Sequence, residues 1–183
     1  MANAGTYRVK GGSIRSKQLY VREVFGDAAA ETLDAFLASR GVGMVLEANW
    51  YDYELFDAVL AFIAEHHFDG DLGRLTEIGR FSARHALTTT YEVFLVRRDL
   101  YVFFERLGQL HERFYNIGGL RLVARREDGC TLLLQGAPSY AETDIQVAAG
   151  FFAGAAELLG RQAVDSQIVR LPDGVRFELS WAV

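Results

Sequence analysis

A chain of 183 residues that is 50% hydrophobic and 13% aromatic is long enough and apolar enough to close a core, which excludes a disordered tail. Its formal charge of −5 and pI near 5.4 exclude the basic footprint that nucleic acid requires. The single cysteine, Cys130, leaves no disulfide within the chain, and there is neither an apolar run long enough to span a bilayer nor an apolar signal core, so a cytoplasmic protein is expected.

Residues 1–10 carry no periodic pattern and read as a flexible start. "GGSIRSKQLYVREVFGD" then reads as a helix, with Ile14, Gln18, Val21, Val24 and Phe25 on one face and Gly26 able to end it. Asp27 can cap the next helix, "DAAAETLDAFLASR", which stops at Gly41 and Gly43. "GVGMVLEANWY" is an irregular connection carrying Met44, Leu46 and Trp50. A broad apolar stripe through Leu55, Phe56, Val59, Leu60, Phe62 and Ile63 makes "DYELFDAVLAFIAEHHF" a third helix. "GDLGRLTEIGRFSARHAL" is a fourth, interrupted by Gly73 and Gly79. Helix continues through "TTTYEVFLVRRDLYVFFERLGQLHERFYN", with a break near Arg98 and Asp99.

After Asn116 the period changes. In "GLRLVARREDGCTLLLQG", Leu120, Leu122 and Ala124 alternate with Arg121 and Arg125, and "EDG" is a tight turn between two strands. "YAETDIQVAAGFFAGAAELLG" returns to helix, and "QAVDSQIVRLPDGVRFELSWAV" makes a second hairpin around "PDG". Helices grouped first and strands grouped last give an α+β fold: N-terminal helices packed with a four-stranded antiparallel sheet, the C-terminal half running ββαββ. No linker or repeat divides residues 11–183, which form one domain.

Leu100, Phe103, Phe104, Leu107, Leu110, His111 and Phe114 recur at helical spacing, so the His111 imidazole faces inward. Such a histidine either ligates a haem iron or sits in the core bonded to a carbonyl. His66 and His67 diverge around a helix and cannot chelate one metal, and no zinc-type spacing or nucleophile elbow occurs, so neither a metal site nor catalysis is expected. The small residues Gly150 and Gly154 let another backbone come close, either the sheet, which the reading favours, or a second copy of the chain. Trp50, Tyr51, Tyr53 and Phe56 read as a loop pinned to the core by Trp50, with an aromatic cage as the other reading.

Two resemblances stand on these segments. From Gly11 onward, "GGSIRSKQLYVREVFG", "NWYDYELF", "EIGRFSARHAL", "FFERLGQLHERFYNIGG" and "VRFELSW" resemble an uncharacterised paralogous family abundant in myxobacteria, from which no biochemical role carries over. Residues 99–183, through "GFFAGAAELLG" and "FELSW", resemble the 4-vinyl-reductase domain, whose fold is shared by haem–nitric-oxide-binding (H-NOX) domains and by subunits of transport-protein-particle tethering complexes. That resemblance implies a small-molecule pocket or a dimerisation surface in a regulator. "LGQLHERF" is similar to the H-NOX helix that bears the proximal histidine, which maps that role onto His111. H-NOX domains also carry a Tyr-x-Ser-x-Arg clamp for the haem propionates. Here the strand and turn read "LLLQGAPSY", without an arginine, and the cysteines that close many vinyl-reductase-like domains are replaced by "VRLPDGVRF".

The reading that follows is a non-enzymatic regulatory or sensory module without a cofactor. It binds a small apolar molecule or a protein partner, or acts as a homodimer, and its pocket walls come from Phe104, Leu107, His111, Phe114 and Phe152. The alternative is a haem-binding gas sensor with His111 as proximal ligand.

Overall fold

The computed structural model describes residues 7–89, 91–95, 99–136 and 140–183. Among them lie helices α1 (Gly11–Phe25), α2 (Asp27–Ser39), α3 (Tyr53–His67), α4 (Leu75–Thr88), α5 (Leu100–Phe114) and α6 (Glu142–Leu158). Strands β3 (Gly119–Arg126), β4 (Gly129–Gln135), β5 (Gln162–Leu171) and β6 (Gly174–Ala182) form one antiparallel sheet in the order β3-β4-β6-β5. The α+β architecture with a ββαββ second half is as the sequence predicts. No described helix is long and apolar enough to cross a membrane.

Two short strands escape the sequence reading. β1 (Arg8–Lys10) pairs antiparallel with β2 (Trp50–Asp52), and Val9 also bridges Tyr115 at the end of α5. The loop before β2 is held through Tyr51, whose hydroxyl accepts from Leu46 N–H at 2.8 Å. Trp50 is not the pin: it is 38% exposed, with Lys10 Nζ 4.4 Å above its ring. The break before α5 does occur. α4 ends at Thr88, a short 3-10 turn follows at Glu92–Leu95, and Asp99 starts α5 by accepting from Tyr101 and Val102 N–H at 2.9 and 3.1 Å. Arg98 lies outside the described residues.

Apolar faces of these elements make two cores. One, between α1, α2, α3 and α4, holds Ile14, Val21, Leu33, Phe56, Leu60 and Ile78. Val24, expected on the buried face of α1, is instead 51% exposed. The other core lies between the sheet and α5 and includes Phe103, Phe104, Leu132, Ile145, Phe177 and Leu179. On β6 the alternation is clean: Val175, Phe177, Leu179 and Trp181 point in, and Arg176, Glu178 and Ser180 lie on the other face. Burying each large side chain of this kind contributes roughly 1.5–3 kcal/mol.

Helix α6 is the wall between the cores, giving Ile145, Ala149 and Phe152 to the sheet side and Val147 to the helical side. Its small residues meet α4, not the sheet as expected. A Cβ on Gly150 would stand 2.1 Å from Thr76 O, one on Gly154 2.9 Å from Arg80 Cα, and one on Gly79 2.1 Å from Val147 O. The two backbones therefore approach to glycine distance, and this crossing fixes the helical block against the sheet block.

Candidate functional site

Where the two cores fail to meet they leave a cavity of about 470 Å³, walled by α1, α4, α5 and α6 and closed at the sheet end by Leu120 and Leu134. Four of the five expected wall residues line it: Leu107, His111, Phe114 and Phe152. Phe104 does not. It is fully buried in the sheet-side core, its ring 5.5 Å from that of Phe103.

The His111 ring is parallel to that of Tyr115, 5.0 Å between centroids and 11° between planes. Its Nε2 lies 2.8 Å from Ile117 O, and because a carbonyl only accepts, Nε2 carries the hydrogen and the lone pair resides on Nδ1. Nδ1 has no hydrogen-bond partner among the described residues. Burial pushes the imidazole pKa below the ordinary histidine value, opposed by the Ile117 hydrogen bond, so the ring is neutral near pH 7.

A polar floor that the sequence reading missed lies beside this imidazole. Lys17 of α1 is 3% exposed and Asp144 of α6 is 1% exposed. Both face the cavity. The Lys17 Nζ donates to Ser16 Oγ and Ser82 Oγ, each at 3.2 Å, and lies 5.5 Å from the centre of the Phe56 ring. Asp144 accepts from the hydroxyls of Tyr53 and Tyr115, each at 3.1 Å, one on each carboxylate oxygen. Tyr53 in turn accepts from Ala141 N–H at 3.0 Å.

Burial dominates both charges: it pushes the Lys17 ammonium down to about 8 and the Asp144 carboxyl up to about 6, each effect opposed by their mutual attraction. The Tyr140 hydroxyl is 3.5 Å from His111 Nε2. Since that nitrogen donates to Ile117, it offers no lone pair to Tyr140. Cys130 is fully buried, its thiol pushed up to about 12, and takes no part.

Two sequence signals for the floor existed. Lys17 stands three residues from Ile14 and four from Val21, on the buried stripe of α1, where a lysine is out of place. The other lies in the spacing of the clamp. Counted from Tyr140, the positions of Tyr-x-Ser-x-Arg are Tyr140, Glu142 and Asp144, so a buried carboxylate stands where the resemblance implies a guanidinium. The stretch "LLLQGAPSY", which carries no arginine, ends at this tyrosine.

No family model and no curated protein matches the chain, so membership of a sequence family remains an expectation. Solved structures do match. An Fe(II) unliganded H-NOX protein from K. algicida superposes with a TM-score of 0.71 at 9% identity, covering 95% of this chain and 97% of that one. A structure described as probing haem distortion in the H-NOX family gives 0.71 at 14% identity, covering 95% of each chain. A Cs H-NOX mutant carrying an unnatural amino acid gives 0.67 at 16% identity, over 95% and 97%. This chain therefore has the H-NOX fold along nearly its whole length, and not only in the half from residue 99 where the sequence resemblance placed it.

Proposed function

We propose that this chain is a non-enzymatic sensor domain that takes haem in its central cavity, with His111 as the residue that would hold its iron. The whole-length likeness to H-NOX domains favours this reading over that of a module for an unspecified apolar molecule or partner. The observation that carries it is the His111 ring: neutral, set in the cavity wall, and fixed in one tautomer by the Ile117 carbonyl. A histidine that donates one N–H to a backbone carbonyl and keeps the other nitrogen's lone pair is arranged as metal-ligating histidines are.

The remaining donors fit the same group. Leu107, Leu110, Phe114 and Phe152 provide apolar walls that exclude water from a macrocycle. Lys17 and Tyr140 provide polar hydrogens on the floor for acidic arms, in place of the arginine that the clamp spacing lacks. When bound, haem supplies an iron at which a diatomic gas can add. The chain's part would be to present the free nitrogen of His111, orient the ring through Ile117, and keep the surroundings dry.

Titrating ligand-free protein with haem and following the absorption spectrum tests this. A saturable Soret band is expected in the unaltered chain, lost in His111→Ala and recovered when imidazole is added to His111→Gly. A chain that develops no band, or a His111→Ala variant with an unchanged one, would remove His111 from the role.

A further inference from the structure

Two hydrogen-bond donors on the cavity floor have hydrogens that meet no acceptor among the described residues. Lys17 is 3% exposed, yet no carboxylate among the described residues comes within ion-pair distance of its Nζ. Two of its three hydrogens point to Ser16 and Ser82, and the third has no acceptor among the described residues. Tyr140 is 4% exposed, and among the described residues the hydrogen-bonding contact of its hydroxyl is with an imidazole nitrogen that is itself a donor. Buried lysines are almost always paired, and here Asp144 attracts the ammonium without making a direct ion pair with it. Both groups open on the same cavity.

We propose that Lys17 and Tyr140 form a carboxylate-binding subsite on the cavity floor, which anchors an acid with an apolar body. This rests on the reading of the cavity as a ligand site, but not on iron. An ammonium and a phenol supply charge-assisted hydrogen bonds to a carboxylate, and the walls above them accept a hydrocarbon body. The neighbouring Asp144 does not take the place of that ligand. Its two oxygens are already engaged by Tyr53 and Tyr115. Its carboxyl is also pushed up to about 6, so it can take up a proton when a second carboxylate arrives. The same chemistry has two sources: the acid arm of a porphyrin, or a free long-chain fatty acid.

Calorimetric titration of unaltered protein with dodecanoate and with methyl dodecanoate, and fluorescence titration with metal-free protoporphyrin IX and its dimethyl ester, test the subsite. At least one acid is expected to bind, with its ester weaker by roughly 10- to 100-fold, the loss of a charged hydrogen bond. Lys17→Met should weaken that acid to a similar degree while leaving its ester unaffected, and Tyr140→Phe should weaken it less. Because acid and ester are compared on the unaltered chain, the result stands even if Lys17→Met does not fold. Discrimination shown by protoporphyrin alone identifies a macrocycle as the occupant. Discrimination shown by dodecanoate alone upholds the subsite and identifies a fatty acid as its occupant, and the Soret titration then decides the haem reading separately. Equal binding of acid and ester, no binding of either acid, or full acid affinity in Lys17→Met overturns the proposal.

Discussion

Asp144 and Lys17 tie the cavity to the stability of the fold through their protons. Burial raises the Asp144 carboxyl from 3.8 to about 6, so between those values the folded chain keeps a proton that the unfolded chain has released. Stability from this group therefore falls as the pH rises through that interval. Burial lowers Lys17 from 10.5 to about 8, so between about 8 and 10.5 the unfolded chain holds the extra proton and stability rises with pH. Together the two groups leave a trough between about 6 and 8. Urea midpoints measured from about pH 4 to about pH 10 should show that trough in the unaltered chain and a flatter profile in a Lys17→Met/Asp144→Asn double variant. Identical profiles would mean that these charges are not buried as described. At this scale the sequence was half legible. His111 stood out because it interrupts an apolar helical stripe. The floor did not, because Lys17, Tyr53, Ser82 and Asp144 come from four different helices and meet only once the helices are packed.

At the scale of elements, spacing predicted what is long and periodic. The six helices and two hairpins have enough residues to display a period of 3.6 or of 2, whereas β1 and β2 have three residues each and show none. The small-residue step on α6 announced a close approach, but a single helix face cannot say which neighbour will occupy it. The α4–α6 crossing supplies a direct test. Gly150→Ala sets a methyl 2.1 Å from Thr76 O and should cost about 1–3 kcal/mol in chemical denaturation. Gly43→Ala, where a Cβ meets nothing within 4 Å, should cost little. Equal effects would show that the two helices are not in glycine-limited contact. Asp99→Ala should remove about 1 kcal/mol by uncapping α5, read from the same transition, and would loosen the helix that carries His111. No loss of stability would contradict the capping role.

For the whole molecule, the order of elements fixed the class of fold, since grouped helices followed by two hairpins around one helix leave few arrangements. What the order could not reveal is that the helical block and the sheet block each close a core of their own and meet along α6. The cavity is the residue of that division. Its oily side was readable in Leu107, Phe114 and Phe152, whereas Lys17 marked the buried stripe of α1 without showing that it reaches a cavity formed by residues far along the chain. The H-NOX fold is thus combined with a cavity floor that holds a buried carboxylate, Asp144 of α6, and a buried lysine, Lys17 of α1. Native mass spectrometry of protein made in cells supplied with haem precursor tests the central claim most directly. One haem per chain is predicted, absent from His111→Ala. A colourless, unladen chain, or equal haem content in the variant, would contradict it.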